Sequence, residues 1–146
     1  MLEKIRSTSL KKAGYISIAV GMINIVLHIL VITAVLPYQW VNGGRTASYT
    51  DAVSISSSSI VITVISMFIT LLAAQIIPVH FNRFFGIALS VFLIATLPFD
   101  VIGIIQQFLG TPFEKCFTSI LTIVVFLADT RVAFEKRWPE KILKRA

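Results

Sequence analysis

Two long stretches without a charged side chain constrain this sequence more than any other feature. No Asp, Glu, Lys or Arg occurs between Lys12 and Arg45, and a further 31 uncharged residues separate Asp51 from Arg83. The hydrocarbon core of a bilayer, roughly 30 Å thick, is crossed by about 20 apolar residues in a helix. Each stretch is long enough for one crossing and too short for two, so we expect each to form one membrane-spanning helix.

The composition narrows the class of protein further. Of the 146 residues, 56% are hydrophobic and only 14% are charged, against about 25% in ordinary soluble domains. A soluble enzyme and a disordered chain are therefore not expected. The single cysteine, Cys116, excludes an intrachain disulfide and a cysteine-rich metal site. We expect a small integral membrane protein that has no cofactor, no metal ion and no catalytic residues.

The second half of the chain allows two interpretations, because Asp100 interrupts its apolar sequence. Sixteen uncharged residues precede Asp100 and thirteen follow it, so neither piece alone spans a bilayer easily. Either one helix runs over residues 84–107 with Asp100 inside the membrane, or residues 97–100 form a loop. We favour the single helix, because a shorter one would leave backbone groups without partners in lipid. Residues 108–113 also hold the stronger turn signal, Gly-Thr-Pro.

The sequence thus predicts four membrane-spanning helices in a single domain over residues 1–146. The predicted spans are residues 14–36, 54–78, 84–107 and 113–134, followed by a basic tail over residues 135–146. The uncharged centre of the fourth span, residues 116–128, is short for a bilayer. We therefore expect its ends to reach towards the interface or the bilayer to be thinner there.

The distribution of basic residues predicts the orientation. With four spans, eleven of the 13 Lys and Arg residues fall on one side, in the N-terminal arm, the second connection and the C-terminal arm. The other side holds only Arg45 and Lys115, balanced by Asp51 and Glu114. Because cytoplasmic segments carry an excess of Lys and Arg, we expect a multi-pass protein of the cell membrane with both termini in the cytoplasm.

The net charge of +6 also bears on the partners of the chain. Because the excess charge lies at the membrane surface, we expect the basic termini to contact anionic lipid headgroups, and we do not expect nucleic acid. In the tail, Phe134, Trp138 and Ile142 recur every four residues among Lys and Arg. This spacing is typical of a helix that lies on the inner leaflet, although a solvated basic tail fits the sequence equally well.

Each predicted helix carries a stripe of small and polar residues, which mark helix–helix contacts in lipid. The stripes are Gly14, Ser17, Gly21, Asn24 and His28; Ser56, Ser59, Thr63, Ser66 and Thr70; Gly86, Ser90, Leu93, Thr96, Asp100, Gly103 and Gln107; and Thr118, Thr122, Val125 and Asp129. Their period is close to 3.5 residues, which predicts crossing angles near +20°. The expected fold is an all-α membrane protein, an antiparallel, up-down-up-down, left-handed bundle of four helices.

Asp100 is the main candidate for a functional residue, because a charged group inside a span is unfavourable by at least about 2.5–3.5 kcal/mol and usually pairs or protonates. At 1.5 Å per residue, His28 and Asp100 lie at depths that agree to roughly a third of a turn, and Thr63 lies at a similar level. Asn24 is one turn from His28 on the same face. We predict an intramembrane polar cluster of Asn24, His28, Thr63 and Asp100.

Three interpretations of this cluster stay open. If His28 and Asp100 touch, they form either a proton-responsive or ion-binding site or a hydrogen-bonded pair that only fixes the register of the helices. In the third case the two side chains do not meet. Replacing Asp100 by Asn tests the functional role.

The loop after the first span is a second candidate. Tyr38 and Trp40 fit the aromatic belt at the membrane interface, and Asn-Gly-Gly permits a tight turn with positive φ. Such a turn could present Arg45 and backbone N–H groups to an anion or a lipid headgroup, although the turn alone also explains the glycines. The residues of this predicted contact are Trp40, Asn42, Gly43, Gly44 and Arg45.

The residues from Leu36 to Arg45, Leu-Pro-Tyr-Gln-Trp-Val-Asn-Gly-Gly-Arg, precede a Ser-rich second helix. In this loop the chain resembles small four-span bacterial membrane proteins of no assigned function, and in layout the resemblance extends over the whole chain. The resemblance implies a cytoplasmic membrane protein and adds no activity.

Three function classes remain. The first choice is a non-enzymatic membrane module or an accessory subunit of a larger complex. The alternative is a small oligomeric transporter, linked to protons or other ions, that uses the Asp/His cluster. A membrane enzyme that acts on lipid comes third. A polar, water-accessible cavity that reaches Asp100 would favour transport, and a dry bundle with an apolar groove would favour a module with a membrane-protein partner or a second copy of the chain.

Overall fold

The computed structural model describes residues 7–137, and in this range the chain is helical without strands. The long helices are α1 (Leu10–Ile32), α2 (Tyr49–Ala73), α3 (Arg83–Leu109) and α4 (Ser119–Ala133). A π-helical segment, Glu114–Thr118, runs directly into α4, and two short 3-10 turns follow α1, Tyr38–Trp40 and Asn42–Gly44. With the π-helical segment included in the fourth, all four helices are long and apolar enough to cross a membrane. The basic tail beyond Arg137, including Trp138 and Ile142, lies outside the described residues.

The first helix begins and ends four residues earlier than the predicted span. It begins after Ser9, whose hydroxyl accepts a hydrogen bond from the Lys12 amide at 3.4 Å, as N-capping residues do. It ends because Ala34 adopts a left-handed conformation with φ of 56°. The Ala34 amide then donates to the Val31 carbonyl at 3.0 Å, and the Leu36 amide donates to the Leu30 carbonyl at 2.9 Å, so amides at and beyond the left-handed residue satisfy carbonyls of the last turn.

The second helix is also shifted towards the N-terminus, by five residues, to Tyr49–Ala73 from the predicted 54–78. The Ser48 hydroxyl accepts from the Asp51 amide at 3.2 Å and donates to the Asp51 carboxylate at 2.7 Å. Asp51 therefore completes a reciprocal cap at the start of α2. The helix ends before Gln75, which has φ of 53°.

The third helix is continuous through Pro98, which decides between the two interpretations of this region in favour of a single helix. The Asn82 side chain caps its N-terminus by accepting from the Phe85 amide at 2.7 Å. Proline removes an amide donor and displaces the preceding turn. The Thr96 hydroxyl donates to the Leu93 carbonyl at 2.8 Å, one residue before the Ile94 carbonyl that has no amide donor from Pro98.

The fourth span begins with a second reciprocal cap. The Thr111 amide donates to the Glu114 carboxylate at 2.9 Å, and the Glu114 amide donates to the Thr111 hydroxyl at 3.3 Å. Pro112, between them, stands where a helix tolerates proline best. A Cβ on Gly110 would collide with the Glu114 carboxylate, so the chain approaches the cap closely here.

The helices pack as two pairs. The first pair, α1 and α2, makes the most extensive contact, the second pair is α3 and α4, and α1 packs against α4 as extensively as α3 does. In contrast, α2 and α3 make few contacts with each other. A Cβ on Gly14 of α1 would overlap the Cβ of Ala74 next to α2, whereas Gly103 of α3 has no heavy atom within 4 Å of such a position.

Hydrogen bonds identify the two ends of the bundle. At one end, which we name the basic end, Arg131 bonds the Thr8 carbonyl before α1 and Arg137 bonds the Ala73 carbonyl of α2. At the other, the loop end, Thr111 bonds the Trp40 carbonyl. The main buried apolar cluster, with members on all three of α1, α2 and α4, lies at the basic end and consists of Ala13, Ala73, Ala74, Ala128 and Val132.

Candidate functional site

A cavity of about 320 Å³ lies between the two pairs of helices. All four residues of the predicted polar cluster line it: Asn24, His28, Thr63 and Asp100. Much of the stripes on α1, α2 and the fourth span does so as well, including Ser17, Thr70, Thr118 and Thr122, whereas only Asp100 and Gln107 of the α3 stripe do. The α1 and α2 stripes contact each other, and the cavity separates them from the polar residues of the second pair.

Hydrogen bonds within this group stay inside the first pair of helices. The Thr63 hydroxyl donates to the Asn24 side-chain oxygen at 3.3 Å. The Nδ1 atom of His28 lies 3.1 Å from the Ser56 hydroxyl. Ser56 is fully buried, so this contact fixes the imidazole ring against α2. Among the described residues, His28 and Asp100 form neither a hydrogen bond nor an ion pair with each other.

A second carboxylate, Asp129, faces the same cavity from α4. Gln107 of α3 accepts a hydrogen bond from the Thr118 hydroxyl, which sets these two residues at one level. At 1.5 Å per residue, Asp100 lies about 10 Å below that level and Asp129 about 16 Å below it. The two carboxylates are thus separated by roughly 6 Å in depth, and each lies within the electrostatic field of the other. Ser17 of α1 is the neighbour of Asp129 across the cavity.

Glu114 brings a third carboxylate to the loop end of the cavity. It is 3% exposed, and its carboxylate accepts a hydrogen bond from the Thr111 amide at 2.9 Å. Glu114 therefore both caps the fourth span and contributes negative charge to the cavity. The sequence signal for this role is the spacing Thr111-x-x-Glu114, a capping box that the sequence analysis did not use.

The cavity is acidic and has partly apolar walls. None of its lining residues within the described part of the chain is a Lys or an Arg. Its apolar side chains include Val20, Leu27, Ile62, Met67 and Leu121. Within residues 7–137, no group of three or more His, Cys, Asp and Glu residues is placed to hold a metal ion.

The loop after α1 lies over the loop end of the bundle. Asn42 and Gly44 have φ of 57° and 67°, so the Asn-Gly-Gly segment does form a turn with positive φ. Trp40 packs on Phe113 with ring centroids 5.8 Å apart, and its carbonyl accepts from the Thr111 hydroxyl at 2.8 Å. Asn42 lines the cavity, and its buried side-chain nitrogen has no hydrogen-bond partner. Arg45 is exposed and lies outside the cavity lining, and the headgroup contact stays a prediction.

Arg137 holds the basic end together, a role that the sequence analysis did not foresee for a residue of the basic tail. Its guanidinium is 5% exposed and donates to the carbonyl oxygens of Ala73 and Val132 and, at 2.9 Å, to the Ser90 hydroxyl. These acceptors belong to α2, α4 and α3. Burial lowers the pKa of Arg137 to about 10, so the side chain stays charged at neutral pH.

Arg131 adds two further contacts at the same end. It donates to the Thr8 carbonyl at 2.7 Å and forms an ion pair with Glu135 at 2.6 Å. Hydrogen bonds from charged donors contribute about 1.5–3 kcal/mol each. At the loop end, one neutral hydrogen bond and one aromatic pair contribute about 0.5–1.5 kcal/mol each. The connection between the two pairs of helices is therefore much weaker at the loop end than at the basic end.

Comparisons of the chain with known protein families, with curated proteins and with solved structures found no match.

Proposed function

We propose that the protein is a small membrane transporter that binds a monovalent cation, the proton included, in the acidic cavity between its helix pairs. One observation carries the proposal: two carboxylates inside the spans, Asp100 and Asp129, face a common cavity whose lining, in the described part of the chain, contains no Lys or Arg. Ionised carboxylates without a counter-charge are strongly disfavoured in lipid, so they bind a cation or a proton.

The cavity favours transport over the other function classes. A polar, water-accessible cavity that reaches Asp100 is the feature by which the sequence analysis separated a transporter from an accessory subunit, and a cavity with polar lining residues does reach Asp100. The accessory role, whether with a membrane-protein partner or in a homo-oligomer, stays a prediction, as does the absence of enzyme activity. The scattered arrangement of the carboxylates favours a singly charged ligand, because divalent ions are usually held by a compact set of oxygen ligands.

We propose the following placement in the membrane. The helices cross alternately as a left-handed antiparallel bundle in the cell membrane, with the basic end in the cytoplasm. The excess of Lys and Arg in the segments at that end supports this orientation, and anionic headgroups are the expected partners of the exposed basic side chains.

Ion flux in proteoliposomes tests the function. The purified protein is reconstituted with an entrapped pH-sensitive dye, and a potassium diffusion potential drives proton entry. Parallel samples measure uptake of radioactive sodium and rubidium. We expect flux above that of protein-free vesicles, and we expect Asp100→Asn and Asp129→Asn each to lower it at least about tenfold, because each removes a group that can carry the cation's charge.

Asp51→Asn is the matched control. It makes the same change of a carboxylate to an amide, but Asp51 is exposed at the start of α2 and lies outside the cavity. Its flux should equal that of the wild type. The proposal fails if none of the three ions crosses faster than in protein-free vesicles, or if both cavity variants carry wild-type flux.

A further inference from the structure

We propose that the loop end of the bundle is a gate, which opens when the first pair of helices, with its loop, moves away from the second pair while the basic end acts as the hinge. The gate is latched by the contacts of Trp40 with Thr111 and Phe113. This inference rests on the proposed function, because a gate matters only for a cavity that takes up a ligand.

The positions of the contacts between the pairs argue for this motion. In the described part of the chain, side-chain hydrogen bonds join the first pair to the second at the two ends: Thr111 to Trp40 at the loop end, and Arg131 to Thr8 and Arg137 to Ala73 at the basic end. Ser17 of α1 also bonds Asp129 of α4, in the half of the cavity nearer the basic end, whereas Thr63 to Asn24 and Thr118 to Gln107 stay within a pair. The packing of α1 on the fourth span lies on Ser119–Ala133, and the Glu114–Thr118 segment at the loop end packs on α3 and α4. The pairs are therefore held together more weakly at the loop end than at the basic end.

Apolar packing shows the same asymmetry. At the basic end, Ala13 of α1 and Ala73 of α2 belong to the same buried cluster as Ala128 and Val132 of α4. The buried cluster near the loop end joins only Val31, Val41 and Ala52, which all belong to the first pair and its loop. The loop is thus anchored to the first pair and should move with it. The contacts that break when the gate opens are therefore those of the latch.

The latch stands directly over the cavity. Val41 and Asn42, which follow Trp40, line the cavity from the first pair, and Glu114, which Thr111 caps, lines it from the second. Parting of the latch would open the cavity to the solvent on that side. The unpartnered side-chain nitrogen of Asn42 would then face the entry path.

Thiol labelling tests the gate without any measurement of transport. In a Cys116→Ser background, Thr63→Cys places one thiol in the cavity, and a membrane-impermeant cationic thiosulfonate is added from the loop side. We expect slow labelling with the latch intact. Trp40→Leu, which removes the ring contact, and Thr111→Val, which removes the hydroxyl, should each raise the labelling rate about tenfold by raising the population of the open state.

Two matched variants control for general damage to the fold. Trp40→Phe keeps an aromatic ring and Thr111→Ser keeps the hydroxyl, so both should label at nearly the wild-type rate. In a second control, proteins that keep Cys116 and lack the reporter cysteine are labelled in the same way. Cys116, which is exposed, should react equally fast with and without the latch substitutions. Thr111→Val also removes a helix cap, so agreement with Trp40→Leu shows that the latch, and not the cap, sets the rate.

A reversible lock gives the opposite perturbation. In this experiment Trp40→Cys and Phe113→Cys are joined by a short cleavable thiol cross-linker, and the thiosulfonate is added afterwards. The cross-link should abolish labelling of a reporter cysteine at position 63, and cleavage of the cross-link should restore the labelling. The gate is refuted if labelling is independent of both the latch substitutions and the cross-link, whatever the ion flux. Latch-dependent labelling combined with unchanged flux in Asp100→Asn and Asp129→Asn would leave the gate in place and refute the transport function alone.

Discussion

The close approach of α1 to α2 allows a prediction that compares two identical substitutions. Gly14→Ala and Gly103→Ala each add one methyl group to a helix interior. At Gly14 the new Cβ would overlap the Cβ of Ala74 and lie 3.0 Å from the Cδ1 atom of Ile76, whereas at Gly103 no heavy atom lies within 4 Å. The same chemical change should therefore have opposite effects on stability.

Two contributions determine how much each substitution changes the free energy of unfolding. Replacing a helical glycine by alanine stabilises a helix by roughly 0.5–1 kcal/mol, and this gain is common to both variants. Overpacking, which only Gly14→Ala suffers, costs about 1–3 kcal/mol, because Ala74 is fully buried and α1 must move away from it. We expect Gly103→Ala to raise the free energy of unfolding slightly and Gly14→Ala to fall about 1–3 kcal/mol below it.

Unfolding by SDS in mixed dodecyl maltoside micelles, followed by far-UV circular dichroism, measures the difference. Because the gain in helix propensity cancels, the gap between the two variants isolates the steric term. Gly14→Val should widen the gap. If Gly14→Ala is as stable as Gly103→Ala, the close contact between α1 and the end of α2 is not present in the folded protein, and the packing described above is refuted.

Three further predictions concern the helix ends and the orientation. Ala34→Gly and Gln75→Gly should each raise the free energy of unfolding by about 1 kcal/mol in the same SDS titration, because glycine adopts positive φ without strain. Arg137→Ala should lower it by about 2–4 kcal/mol, since carbonyls of α2 and α4 lose a charged donor, with Arg137→Lys in between. A membrane-impermeant maleimide should label Cys116 in intact cells.

Each of these three predictions has its own control or contradicting result. Ala19→Gly, at an exposed position in the middle of α1, should destabilise, so a gain there as well would show that glycine acts through something other than the left-handed turns. Wild-type stability of Arg137→Ala would contradict the role of the guanidinium at the basic end. If Cys116 reacts only after the membrane is permeabilised, the proposed orientation is inverted.

The number of long helices could be predicted from the sequence, but their ends could not. Uncharged stretches of sufficient length indicate four spans, and the cost of unsatisfied backbone in lipid correctly favours one continuous helix through Pro98. The first two helices end at Ala34 and Gln75, which carry no glycine or proline signal. The prediction instead extended these helices to Pro37 and Pro78, the nearest conventional stop signals, and so placed both ends too late.

The candidate site, too, could be predicted from the sequence only in part. Depth and helical spacing alone selected Asn24, His28, Thr63 and Asp100, and the structure brings them to one cavity. Asp129 stands at the end of the fourth stripe, and the sequence analysis did not include it in the polar cluster. The partners of single side chains, such as Ser56 for His28, depend on helix rotation to within a fraction of a turn, which the period of a stripe does not specify.

The contacts of Arg137 have a consequence for how the protein is made. The Ala73 carbonyl that it binds is 64 residues earlier in the chain, which at about 5–20 residues per second corresponds to roughly 3–13 s of synthesis. During that interval α1 and α2 are already complete, but the end of α2 at the basic end of the bundle has no charged donor. The hydrogen bond that joins Arg137 to α2 thus forms late in biogenesis, only after the fourth helix has been synthesised.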